Sequence, residues 1–279
     1  MSTLTLGLST CPNDTFLFAP LLEDRVDRRG LDLAFVLADV QELNEALRAG
    51  ELAVSKASFA TALELVDSHG VLPVGSALGF GVGPVLLGPP GAGPPGPGSR
   101  VLCPGAGTTA TLLMRCLHPE VGDLVQVRFD RIMPALAAGE ADLGVCIHEG
   151  RFSYRDAGLE LVEDLGASWE AATGAPVPLG GLLARLDLGE DLQRRLVAVL
   201  ADSLAAARAD PAATLATMRA HAQELDDRSL WQHVELYVNE HTADLGAAGR
   251  TALEALARGS GATRAPTILP GPAEGDRAR

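Results

Sequence analysis

The feature that most constrains this chain is a regular alternation of short β-branched or leucine-rich runs with amphipathic helical stretches. Strand candidates cover residues 4–8, 31–37, 52–55, 71–77, 82–87, 100–103, 124–129, 141–147, 159–162 and 179–184. Helical patterning fills most of the gaps, at 40–49, 59–69, 109–117 and 131–138. Strand–helix–strand alternation implies mainly parallel sheets with helices on their faces, so the fold class is α/β. At 279 residues the chain has room for two such units, on the usual scale of ~150 residues per domain.

Residues 89–99 read PPGAGPPGPGS. A run of proline and glycine supplies few sheet donors and no packed face, which predicts a linker or an exposed loop. On either side of it the chain repeats itself. Ala46-Leu47-Arg48-Ala49-Gly50-Glu51 recurs as Ala135-Leu136-Ala137-Ala138-Gly139-Glu140. Each time a helix runs into a glycine suited to the left-handed C′ position and then into a strand. An alanine-rich chain can repeat itself by coincidence, but two related α/β lobes account for it better. The expected division is 1–88 with 177–262 as lobe I, 89–99 as the loop or linker, 100–176 as lobe II, and 263–279 as a flexible tail. Beyond Gly189 the pattern is helical only, at 192–208, 212–223, 229–239 and 247–257, with Pro211 able to open the second of these. These helices are expected to pack on lobe I.

The formal net charge is −14 and aromatic residues make up 4%. A negative field repels nucleic acid and anionic membrane surfaces, and few rings are available for base stacking. The start of the chain lacks a basic n-region, and no apolar run reaches the ~18 residues of a membrane span. These features predict a cytoplasmic protein acting on a small molecule, with no nucleic-acid or membrane partner; oligomeric state is not legible. Cys11, Cys103, Cys116 and Cys146 form no C-x-x-C pair, so free thiols are expected, with no disulfide and no metal site.

In open parallel sheets, ligands bind beyond the carboxyl ends of the strands. Four polar or small-residue clusters stand there: Ser9 to Thr15, Ser55 to Ser58, Gly105 to Thr109, and His148 to Arg151. Lys56 is the sole lysine among 22 basic residues. A compact ammonium is not interchangeable with a guanidinium at a tight site, so Lys56 is either a ligand for an anion or an accidental survivor on the surface. Thr108 precedes a helix that it can cap. The first N–H groups of that helix, from Thr109 and Ala110, can hold a carboxylate or phosphate, although simple capping explains the same pattern. Asn44 lies on the apolar stripe of Val40, Leu43 and Leu47, as a cleft residue or a satisfied core polar group. Asn13 and Asp14 either cap the first helix or face the cleft. His148 closes the apolar run Leu143 to Ile147, where an imidazole can accept and return a proton or serve structure alone. The other histidines, at 69, 118, 221, 233 and 241, fall at helix ends or on helical surfaces. No P-loop or serine–histidine–acid order is evident, and no G-x-G-x-x-G fingerprint, which needs a strand before it and a helix after it; the bare spacing at Gly91, Gly93 and Gly96 lies in the proline-rich run. Gly79-Phe80-Gly81-Val82-Gly83-Pro84 reads as a turn or hinge.

Taken in order, several segments resemble a known family, the 1,4-dihydroxy-6-naphthoate synthases of the futalosine route to menaquinone. They are Ser9-Thr10-Cys11-Pro12-Asn13-Asp14-Thr15-Phe16, Ser55-Lys56-Ala57-Ser58, Leu78 to Pro84, and Ile147-His148-Glu149-Gly150-Arg151-Phe152. Val177 to Gly180 and Leu236-Tyr237-Val238-Asn239-Glu240 extend the likeness over nearly the whole chain. The resemblance implies a two-lobed fold like a type II periplasmic binding protein, with C-terminal helices and a small anionic bicyclic substrate in the cleft. It implies cleavage of cyclic dehypoxanthine futalosine to 1,4-dihydroxy-6-naphthoate without a cofactor. His148 is then the proton acceptor, Lys56-Ala57-Ser58 one substrate-binding segment, and Thr108-Thr109-Ala110 the other. A non-catalytic binding protein of the same shape and the sister enzyme chorismate dehydratase remain alternatives.

Overall fold

The structure, a computed structural model, describes residues 3–148, 150–222 and 226–271. Expectations touching Glu149, Gln223 and 272–279 lie outside the described residues. Two sheets form. The first contains β1 (Leu4–Ser9), β2 (Leu33–Ala38), β3 (Val54–Ser58), β4 (His69–Val71), β5 (Ala77–Gly79) and β11 (Val177–Arg185). Its order is β2-β1-β3-β11-β4, with β5 also paired to β11. The second contains β6 (Val85–Gly88), β7 (Arg100–Cys103), β8 (Asp123–Gln126), β9 (Leu143–Cys146) and β10 (Glu160–Asp164), in the order β10-β6-β9-β7-β8.

Three strands in each sheet are parallel: β2, β1 and β3 in the first, and β8, β7 and β9 in the second. The rest of each sheet is antiparallel, because β11 runs against β3 and β6 against β9. The repeat in the sequence is the repeat in the fold. Helices α1 (Pro12–Leu22) and α2 (Val40–Arg48) link β1, β2 and β3, as α4 (Thr109–Leu117) and α5 (Ile132–Ala137) link β7, β8 and β9. Gly50 and Gly139 both sit at φ 73°. The Glu51 and Glu140 amides reach back to the Ala46 and Ala135 carbonyls at 2.9 and 3.0 Å. The two helices therefore end in the same left-handed cap, which glycine adopts without steric cost.

The chain passes from the first sheet to the second between β5 and β6, and returns between β10 and β11 through α7 (Leu165–Thr173). The boundary expected at 88/89 is therefore corrected: β6 belongs to the second sheet, and 89–99 is a loop inside that lobe. The pairing of β6 with β9 and β10 decides this, and no local composition announces it. The single strand expected over 71–77 is also two. Pro73 lacks a donor and Gly75 takes φ 86°, so β4 ends before them and β5 begins after.

Helix α1 is buried on nearly every side. It lies between the first sheet and three helices, α8 (Glu190–Ala209), α9 (Leu215–His221) and α10 (Asp227–Tyr237). Phe16, Phe18, Leu196, Leu200 and Leu230 fill that interface. Helix α12 (Gly246–Ser260) covers β11 and α3 (Phe59–Glu64). The expectation of a flexible tail from residue 263 is corrected for its described part. Val71 donates to Thr267 and accepts from Leu269, each at 2.8 Å, and the Leu269 side chain fills the space beside Gly70. No helix among the described residues is long and apolar enough to cross a membrane.

Candidate active site

The loops after β1, β7 and β9 and the carboxyl half of β3 converge on one cleft between the lobes, with about 660 Å³ of empty space including its open mouth. Lobe I contributes Asn13, Lys56, Ala57 and Ser58, and lobe II contributes Thr108, Thr109, Ala110 and His148. The outgoing crossing reaches the cleft as well through Gly83, and strand β11 through Leu179.

His148 follows β9 directly and holds φ 53°, a left-handed conformation uncommon for residues other than glycine. That turn carries the half-buried ring across the crevice toward lobe I. Cys11 Sγ lies 3.6 Å from both Nδ1 and Nε2 of His148. The Phe129 ring meets it edge-on at 5.1 Å, and the His233 ring lies nearly parallel at 5.9 Å.

Lys56, expected to bind an anion, lines the cleft with its ammonium already engaged inside the protein. Its Nζ sits 2.5 Å from Asp14 Oδ1 and 3.0 Å from the Gly75 carbonyl, and both side chains are buried. The cation is matched inside the protein, so the pair leaves no net positive charge for a substrate. Burial pushes the Asp14 carboxyl above its usual range, opposed by Lys56. Asn44 is corrected as a cleft residue. It is fully buried and stands behind the wall, accepting from Ser58 N at 2.9 Å and donating to Ser58 Oγ at 3.1 Å and Gly107 O at 3.4 Å. It is the satisfied polar group of the two readings.

Thr108 caps α4, its hydroxyl accepting from Thr111 N at 3.2 Å. The Thr109 hydroxyl donates to the Leu179 carbonyl at 2.7 Å and accepts from Ala60 N at 3.2 Å, tying α4 to lobe I. The amides of Thr109 and Ala110 open the helix and have no partner within it. A helix start of this kind suits a carboxylate. No group of three or more His, Cys, Asp or Glu side chains placed to hold a metal ion occurs among the described residues.

His233, which the sequence places at a helix end or on a helical surface, lies in the cleft wall, 1% exposed. The signal for it was present. Leu230, His233, Val234 and Tyr237 share the i, i+3, i+4, i+7 face of α10, and all four are buried. Burial, together with the charges of His148 and Lys56, holds its pKa well below the ordinary histidine range.

Two α/β lobes, joined by two crossings and meeting over a shared cleft, define the class of two-lobed proteins built like periplasmic binding proteins. The ligand-binding component of an ABC-type import system from Staphylococcus aureus shares this fold, with a TM-score of 0.69 at 14% identity over 97% of both chains. A solved protein from Archaeoglobus fulgidus is more similar, with a TM-score of 0.87 at 29% identity over 93% of this chain and 97% of that one. The family model described as menaquinone biosynthesis matches residues 4–260, and the chain belongs to that family. A 1,4-dihydroxy-6-naphthoate synthase of Thermus thermophilus is 46% identical, covering 93% of this chain and 96% of its own. Its counterpart in Streptomyces coelicolor is 41% identical, covering 91% of each. An enzyme of menaquinone biosynthesis is the reading these relatives establish.

Proposed function

We propose that this enzyme is a carbon–carbon lyase that converts cyclic dehypoxanthine futalosine to 1,4-dihydroxy-6-naphthoate, with His148 as the proton acceptor. The observation that carries the reading is the position of His148: a strained turn at the end of β9 puts its ring in the cleft, facing lobe I. The relatives' name supplies the product. Removal of a proton from the sugar-derived part of the substrate lets the carbon–carbon bond break in the retro-aldol sense. A three-carbon fragment leaves, and aromatisation of the remaining ring pulls the reaction forward. Neither step calls for a redox cofactor. Amides at the start of α4 would hold the substrate carboxylate, a pre-organised electrostatic contribution, while contact between the lobes keeps water from the intermediate.

The test is to purify His148→Ala and assay naphthoate formation from the cyclic futalosine derivative. The expected loss is at least ~100-fold in kcat, the scale of a general base. Turnover near wild type would remove His148 from the mechanism. Recovery of unchanged ligand from the wild-type protein would favour a non-catalytic binding protein instead.

A further inference from the structure

Five buried side-chain atoms among the described residues have no hydrogen-bond partner: Arg28 Nε, His69 Nε2, Ser76 Oγ, Trp169 Nε1 and His233 Nδ1. Only His233 belongs to a residue lining the cleft. The state of its ring follows from its neighbours. Asn13 Nδ2 donates to Asp14 Oδ1 at 3.0 Å, and a carboxylate oxygen paired to Lys56 accepts only from the amide nitrogen. Asn13 Oδ1 therefore faces the other way, 3.0 Å from His233 Nε2. An amide oxygen cannot donate, so Nε2 carries the hydrogen. A neutral imidazole has one N–H, which leaves Nδ1 with a bare lone pair. Desolvation keeps the ring neutral, and the lone pair persists through the physiological range.

We propose that His233 is a substrate-binding residue whose Nδ1 accepts a hydrogen bond from a hydroxyl of the bound ligand. Lys56, Asp14 and Asn13 act as positioning residues that set its tautomer. This deepens the reading of the cleft as a naphthoate synthase site and rests on it, because the substrate's sugar-derived part and the product both carry hydroxyl donors. A buried acceptor without a donor is costly, and a ligand hydroxyl in that place removes the cost. It also gives the cleft a means of rejecting analogues that lack the hydroxyl.

Two amide variants separate this role from a structural one. In His233→Asn the side-chain oxygen can stand near the place of Nδ1, keeping the acceptor and losing the donor to Asn13. His233→Gln reaches the place of Nε2, keeping that donor and losing the acceptor. The expected result is that the Gln variant loses about 10- to 100-fold in kcat/KM, mostly through KM, while the Asn variant stays within about fivefold of wild type. A structural role predicts the reverse order, and that order would overturn the proposal. Nitrogen-15 spectra of histidine-labelled wild-type protein give a readout independent of turnover and of variant folding. The free protein should show His233 as the Nε2–H tautomer, with its Nδ1 signal moving upfield when 1,4-dihydroxy-6-naphthoate is added. An Nδ1–H tautomer, or an unmoved signal at saturating ligand, would also overturn it. Wild-type protein that binds the naphthoate but fails to turn over the cyclic substrate would count against the reaction alone, and these spectra would still decide the role of His233.

Discussion

Lys56 Nζ and Asp14 Oδ1 meet at 2.5 Å inside lobe I, one from the central strand β3 and the other from the first turn of α1. The only lysine of the chain is thereby paired inside the protein, and Asn13 and His233 extend the network along the cleft wall. Removing one partner strands the other charge where water cannot reach it. Lys56→Met should therefore cost about 3–5 kcal/mol in urea unfolding. Adding Asp14→Asn to that variant should recover most of the loss, since a neutral amide tolerates burial better than an unpaired carboxylate. A double variant as unstable as the single one would show that packing, not charge, makes Lys56 necessary.

Asn44 makes a second prediction, about contact between the lobes. Its amide nitrogen donates to Gly107 O while its oxygen accepts from Ser58 N. Asn44→Asp keeps the acceptor and turns the donor into a second oxygen facing a carbonyl. The expected loss is about 2–3 kcal/mol, the scale of a buried unsatisfied group, visible as a lower melting temperature. Asn44→Asp should lose more at pH 8 than at pH 5, because only the ionised side chain repels Gly107 O. Equal losses at both pH values would count against this account.

The histidines give a pH dependence with a definite sign. Burial lowers the folded-state pKa of His233 below the ordinary 6.5. As pH falls past 6.5 the unfolded chain takes up the proton first, so the stability this group contributes is complete above that value and lost below it. Asp14 works the other way. Its folded pKa is raised, so its contribution is present at low pH and falls as pH rises through its shifted range. Comparing wild type with His233→Asn isolates the histidine. Between pH 7 and pH 5 the wild type should lose more stability than the variant in denaturant titrations. Parallel pH profiles would mean the ring titrates freely.

Much of this is legible in the sequence. The glycines at 50 and 139 announced two matching helix ends, because a left-handed cap needs that residue type. Polar clusters after parallel strands marked the cleft, since strand ends are where loops diverge. Other features depend on pairings that local sequence does not encode. Nothing in residues 82–88 says that β6 joins the second sheet. Lys56 and Asp14 are far apart in the chain, and only the fold brings an acid to that ammonium. His233 was within reach of the reading, because its helix face is otherwise apolar, but a histidine near a helix end reads as surface unless that stripe is counted.

Gly83 and Gly166 give the last prediction. They lie on the two passages between the lobes, and a Cβ on Gly83 would stand 2.2 Å from Gly166 Cα and 2.7 Å from its nitrogen. The converse Cβ on Gly166 would stand 2.5 Å from Gly83 Cα. Both obstacles are backbone, which cannot rotate out of the way as a side chain can. Arg151 holds the contact from lobe II, donating to the Gly83 carbonyl at 2.6 Å and to Asp164 Oδ2 at 2.7 Å. Gly83→Ala should force the two passages apart and cost about 1–3 kcal/mol, the range for overpacking, with a matching fall in melting temperature. Gly166→Ala should do the same. Combining them should cost less than the sum, because once the passages have parted for one methyl group the second finds room. Strict additivity would mean that each alanine is accommodated locally. In that case the close backbone contact would not be what sets the spacing of the lobes.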